Sequence, residues 1–238
     1  MLTLNPALNL APYAETFRRT GIVQVADVFE PASAETLLAL LSKGVPWRLN
    51  FLENGKAMSY APDGIDAIGR EAFQAKIAAV QERARLGDGY MFAGYPMSQA
   101  REQGWDPGHP IHDVCGFLNG PAFLGLGRKV VGLDSLNRAE AFATLYTPGH
   151  FLTRHIDHGV NNERRAAYVI SLCRDWKPDW GGLLLFFDEK NDVFAGFKPR
   201  YNVVTIFDVK HAHAVTQVAS YAGAGRFSIS GWFRDDPR

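Results

Sequence analysis

Cysteine is scarce in this chain: two among 238 residues, Cys115 and Cys173, without CxxC spacing. That excludes a disulfide scaffold and a structural zinc site, and it fits a reducing compartment. Net charge is missing too, since 25 Lys and Arg balance 25 Asp and Glu. Without a basic excess there is no electrostatic footprint for nucleic acid or an anionic membrane. No apolar run approaches the roughly 20 residues that a bilayer-spanning helix needs. The opening MLTLNPALNLAPYAETFRRTG has no basic stretch before an apolar core, so no secretory signal is expected. These absences predict a soluble, cytoplasmic protein for which membranes are not partners and nucleic acid is not the direct substrate. What is present suits a packed core, with 47% hydrophobic and 21% charged residues.

The first half reads as helices with some strand. Gly21–Phe29 alternates and carries β-branched residues, as a strand does. Ser33 is placed to cap a helix that Gly44 stops. Phe73, Ile77, Val80 and Ala84 form one helical stripe, which Gly87 ends. Residues 94–110, GYPMSQAREQGWDPGHP, break the pattern with Gly and Pro. A segment of this kind reads as a lid at a site mouth or as an inert connector. After a helix-like stretch, VCGFLNGPAFLGLGRKVVG, short β-rich runs follow in series, from AEAFATLYT to RFSISGWF. Turn signals separate most of them, among them Asn161-Asn162 and Gly181-Gly182. The expected fold is mainly β: a double-stranded β-helix (jelly roll) with helices packed outside it, mostly from the N-terminal half. One domain is expected over 1–238, with 1–114 as helix-rich support and 115–234 as the jelly-roll region.

The densest polar chemistry lies in TRHIDHG, Thr153–Gly159. On a strand, His155 and Asp157 project to one face and Ile156 to the other. One further histidine, from His211 or His213 after the apolar run YNVVTIFDV, would complete two imidazoles and one carboxylate. Such a facial triad leaves coordination positions open and suits non-haem Fe(II) oxygenases. A solvated polar turn is the alternative. In RFSISGWF, Arg226, Ser228 and Ser230 share a face. An arginine directed into a barrel needs an anion, and a guanidinium with a nearby hydroxyl fits the far carboxylate of a dicarboxylate co-substrate. The alternative is an edge arginine facing solvent.

Taken in order, HID, ERRAAYVISL, DWKPDWGGLLLFF, YNVVTIFDV, HAVTQV and RFSISGWF resemble the HxD…H…R pattern of 2-oxoglutarate/Fe(II) dioxygenases. The resemblance is strongest to the prolyl hydroxylase-like branch and the catalytic domain of eukaryotic ribosomal-protein prolyl hydroxylases. It runs from about Cys115 to Arg234. It implies His155, Asp157 and His213 as Fe(II) ligands, with His211 and His158 outside the metal's coordination. It also implies Tyr146 and Tyr168 as 2-oxoglutarate contacts beside Arg226 and Ser228. Fe(II), 2-oxoglutarate and O2 are the implied reactants, with ascorbate as reductant and no catalytic residue beyond the metal centre. The implied reaction is hydroxylation of a prolyl residue of a protein or peptide, a ribosomal protein among the candidates, releasing succinate and CO2. The eukaryotic enzymes carry a second barrel after the catalytic one, and the sequence to Arg238 shows none, so their substrate specificity does not transfer with the motifs. Two readings stand beside it: an oxygenase for a free amino acid or other small molecule, and a metal-binding jelly roll that acts as a sensor or scaffold without turnover.

Overall fold

The computed structural model describes residues 2–157, 159 and 163–236; His158 and the Asn161-Asn162 turn lie outside them. Helix α1 (Ala11–Thr20) leads into strand β1 (Ile22–Ala26) and helix α2 (Pro31–Lys43). A hairpin of β2 (Arg48–Glu53) and β3 (Lys56–Tyr60) follows. It turns at Asn54-Gly55, both with positive φ, as a two-residue primed turn demands. Next come α3 (Pro62–Ile68), α4 (Arg70–Arg85), β4 (Tyr90–Tyr95), α5 (Met97–Gln103), α6 (Ile111–Leu118) and α7 (Pro121–Val131). The rest is strand: β5 (Arg138–Tyr146), β6 (Phe151–His155), β7 (Arg164–Leu172), β8 (Leu184–Phe187), β9 (Val193–Phe197), β10 (Tyr201–Asp208), β11 (Ala212–Val215) and β12 (Arg226–Arg234).

The strands form one curled antiparallel sheet in the order β1-β10-β7-β12-β5-β4-β6-β11-β8-β9, with the β2–β3 hairpin attached to β4. The fold is thus a jelly-roll core with helices outside it. β4 joins its two halves: Ala93, Gly94 and Tyr95 pair with β5, whereas Tyr90 and Met91 pair with β6. Strand alternation divides the environments. Ala139, Ala141 and Ala143 of β5 enter the core beneath the helices, together with Ile170 of β7 and Ile229 of β12. Their neighbours, including Thr144, Tyr146 and Arg226, line an interior cavity. Small alanines on the outer face let the helices approach closely. A separate cluster of Phe51, Val80, Met91 and Phe151 holds the hairpin against α4, whose expected stripe adds Phe73, Ile77 and Ala84. Among the described residues no helix is long and apolar enough to cross a membrane.

Several local expectations change. Helix α2 begins at Pro31 rather than after Ser33, because proline suits the first helical position. The Ser33 hydroxyl instead accepts a hydrogen bond from the Thr3 N–H. The helix-like stretch before β5 is two helices, α6 and α7, parted by Asn119-Gly120. Residues 94–110 are not an irregular lid: they hold the end of β4, all of α5 and a short loop. That loop is pinned where Tyr95 Oη donates to Asp106 and His109 Nε2 donates to the Gly44 carbonyl.

Two glycines of α7 give opposite expectations. A Cβ on Gly127 would meet the fully buried Phe233 ring at 2.6 Å, whereas one on Gly125 meets nothing within 4 Å. Gly127→Ala should destabilise the protein by about 1–3 kcal/mol through overpacking. Gly125→Ala should stabilise it by about 0.4–1 kcal/mol by restricting the unfolded chain. Urea unfolding of both variants checks the pair, and equal midpoints would contradict this packing of α7 on β12.

Candidate metal centre

His155 ends β6 and His213 lies in β11, where the two are direct register partners. Asp157 follows two residues after His155, and its carboxylate lies 3.5 Å from His155 Nε2 and 3.4 Å from His213 Nε2. One ligand atom from each residue falls within 4.8 Å of the others. The Nδ1 of His155 is 2.9 Å from the Thr153 carbonyl, and that of His213 is 3.0 Å from the His211 carbonyl. Donation from each Nδ1–H fixes the tautomer that leaves the Nε2 lone pair for a cation. Burial, then the neighbouring His155, lowers the His213 pKa to about 4, so this imidazole is neutral at physiological pH. Burial opposes ionisation of Asp157, yet the two imidazoles outweigh it and hold its pKa below the ordinary value. Burial likewise opposes a charged His155, but the Asp157 carboxylate and the Thr153 carbonyl leave its pKa raised. Two nitrogens and one carboxylate oxygen converging in this way fit Fe(II) and leave room for further ligands. His211 is directed away from the group, its Nε2 3.2 Å from the Thr20 carbonyl.

Arg226 is 3% exposed and has no carboxylate within ion-pair distance among the described residues. Its Cζ lies 5.1 Å from the centroid of the Tyr146 ring, its register partner across β5. Its Nη1 is 3.4 Å from Ser228 Oγ, and its Nε is buried without a partner. Ser228 Oγ lies 2.8 Å from Thr144 Oγ1. On its other side Ser228 is in register with Ser171, whose Oγ is also buried and unpartnered. A row of three hydroxyls, Thr144–Ser228–Ser171, thus crosses three adjacent strands beside an uncompensated guanidinium. Burying such a charge is costly unless an anion meets it. Tyr146 stacks on Phe92, and burial raises its phenol pKa despite the charge of Arg226.

Tyr168 borders the same cavity, but its hydroxyl is turned away from Arg226. Its hydroxyl donates 2.8 Å to the Glu140 carbonyl, and its ring packs with Phe123 and Phe233 in the helix-side core. The neighbouring Gly231 makes this reach across β12 feasible: a Cβ there would meet the Glu140 carbonyl oxygen at 1.8 Å and the Tyr168 hydroxyl at 2.8 Å. Tyr168, Ile170 and Leu172 do share a face, but it is the outer one, and the inward position nearest the anion site is Ser171. The sequence reading missed Ser171, which only the strand register reveals. It also missed Trp232, although the Arg226–Ser228–Ser230 parity leads to it.

The triad and Arg226 share one cavity of about 450 Å³ with largely apolar walls, among them Phe92, Phe142, Leu184 and Phe207. Leu52, Asp88, Gly89 and Tyr90, from the hairpin and the start of β4, also border it, whereas none of residues 94–110 lines the cavity. Trp232 closes one side, its buried indole N–H directed toward the Asp157 carboxylate that it helps keep ionised, and the Arg164 guanidinium lies 3.4 Å from the centroid of its ring.

Comparison with known proteins agrees with this geometry. Residues 141–234, which carry the triad, Arg226 and the hydroxyl row, match the family model of the 2OG-Fe(II) oxygenase superfamily. No curated relative matches the sequence significantly. A Pseudomonas putida prolyl-4-hydroxylase is similar in structure, with TM-score 0.55 and 20% identity over 99% of this chain and 98% of that one. A Trichoplax adhaerens prolyl hydroxylase, solved with a peptide of the hypoxia inducible factor oxygen degradation domain, has TM-score 0.59 and 14% identity over 94% and 87%. SnoN, a non-heme alpha ketoglutarate dependent epimerase from nogalamycin biosynthesis, has TM-score 0.58 and 13% identity over 95% and 82%. At these identities the structures share the fold alone.

Two outcomes follow from the placement of these side chains. His213→Ala should abolish Fe(II) binding and His211→Ala should retain it, as measured by metal titration; equal loss would mean the wrong histidine faces the centre. Tyr168→Phe should cost about 0.5–1.5 kcal/mol of stability through its lost hydrogen bond and leave 2-oxoglutarate affinity unchanged. Weaker binding of 2-oxoglutarate by that variant would return Tyr168 to the site.

Proposed function

We propose that the protein is an Fe(II)- and 2-oxoglutarate-dependent dioxygenase that hydroxylates a prolyl residue of a protein or peptide in the cytoplasm. One observation carries this reading: a buried arginine with no carboxylate partner among the described residues opens on the same cavity as a His-Asp-His triad. His155, Asp157 and His213 would hold Fe(II), which would supply the chemistry that converts 2-oxoglutarate and O2 into succinate and CO2 while the second oxygen atom passes to the substrate. Arg226 and Ser228 bind the far carboxylate of the co-substrate, and Tyr146 packs against it. These residues orient rather than form bonds. The apolar walls keep water from the reacting atoms. Ascorbate serves as the reductant that restores the metal.

The prolyl assignment rests on the resemblance of the motifs and on the two prolyl hydroxylases with this fold. An apolar cavity receives a pyrrolidine ring without leaving polar groups unpaired. A ribosomal protein is the first substrate to test. The fold shared with SnoN favours a second reading, oxidation of a free small molecule. Incubating iron-loaded protein with 2-oxoglutarate, O2 and ribosomal peptides decides among them. A proline gaining one oxygen by mass spectrometry supports the first reading, succinate formation only with small molecules the second, and no succinate with either a silent metal-binding module.

Arg226→Lys keeps the charge and loses the two-pronged geometry. A charged hydrogen bond is worth about 1.5–3 kcal/mol, so 2-oxoglutarate affinity should fall roughly ten- to hundredfold. Fe(II) affinity should hold. Calorimetry with an unreactive analogue under nitrogen measures both, and wild-type binding of the analogue would remove Arg226 as the anchor.

A further inference from the structure

Trp232 follows Arg226 along β12 on the same strand face, in register with Glu140 of β5 and Ala167 of β7. It lines the cavity that holds the triad. Contacts to its carbon atoms fix the ring. The Arg164 guanidinium covers it, with Cζ 3.4 Å from the centroid, and Phe142 meets it edge-on at 5.1 Å. Arg164 is steadied in turn by Glu140, 3.8 Å away. The indole N–H is left over: it is buried and completes no hydrogen bond among the described residues. A buried donor in that state is costly, so the acceptor it faces matters. That acceptor is Asp157, whose pKa the indole N–H lowers in addition to the two imidazoles. The imidazoles beside this carboxylate are those of His155 and His213, its fellow ligands. Trp232 differs from them because an indole N–H donates only and has no lone pair for a cation. Asp157 lies past the end of β6, where no strand pairing restrains it.

We propose that Trp232 is a positioning residue of the metal centre: its indole N–H donates to the Asp157 carboxylate and sets the direction in which that carboxylate meets the cation. The inference rests on the reading of the triad as an Fe(II) site. A donor that orients a ligating carboxylate tunes the metal, and its loss costs about ten- to hundredfold in metal affinity. One strand, β12, then provides both the co-substrate anchor Arg226 and the brace for the metal's carboxylate ligand. Arg164 and Phe142 act one step further out, by holding the ring that carries the N–H.

Co(II) titration under nitrogen, followed by the visible absorption of the bound ion, tests this without turnover. Wild type is compared with Trp232→Phe and with Trp232→benzothienylalanine, in which sulfur replaces the N–H within the same ring shape. Both variants should bind Co(II) roughly ten- to hundredfold more weakly, with a shifted visible band. The isostere keeps the contacts to Arg164 and Phe142, so its melting temperature before Co(II) is added should match wild type. It therefore separates loss of the N–H from loss of packing, and it decides the matter even where Trp232→Phe fails to fold. Wild-type affinity and an unshifted band in the isostere overturn the proposal and leave the metal site standing. A wild type that binds no Co(II) overturns the reading of the triad as well.

Discussion

β12 is hydrogen-bonded along both edges, to β5 and to β7, and this double pairing removes its freedom of register. The Arg226 side of the cavity follows from it. Arg226 stands opposite Tyr146, and Ser228 stands between Thr144 and Ser171. Gly231 falls where the Tyr168 hydroxyl crosses to the Glu140 carbonyl. A slip of one residue would turn Arg226 into the helix-side core and Ile229 into the cavity. The site is thus specified by apolar packing on the far face of the strands that carry it.

The metal centre depends on a different constraint. His155 and His213 come from neighbouring strands, so their spacing is a ladder spacing, and backbone carbonyls two residues away orient both rings. Asp157 lies just past the end of β6, where the chain has left the ladder and its carboxylate can turn toward both imidazoles. The centre needs two strands, one chain end and no long-range adjustment. Arg226 is supplied by another strand of the same sheet, so anion site and metal site are held at a fixed separation.

Much of this was legible from side-chain alternation. Seven of the eight strands from β5 onward stand out as short β-rich runs, and His155, Asp157 and Arg226 declare themselves by parity and charge. β9 escaped because Val193–Phe197 is short, carries a glycine and has no polar alternation. The 94–110 segment misled because its Gly and Pro residues flank a real helix. The direction of the Tyr168 hydroxyl was hidden for a more general reason: period two says which residues share a face and not which side that face turns to. Only the partners of the strand settle that, and Ser171 could be found by no other route. The choice of His213 over His211 needed the resemblance, whereas in the structure the carbonyl of Thr20 claims His211.

The hairpin β2–β3 and α4 are held by their own small cluster around Phe51 and Val80, separate from the cores that fix β12 and β11. Leu52 and Tyr90 border the cavity from that unit. That cluster also takes in Met91 of β4 and Phe151 of β6, the strand that ends at His155, so the rim and the metal centre share one support. A change at the entrance is therefore felt at His155 through β6, and any new rim has to keep Phe151 and Met91 in their places.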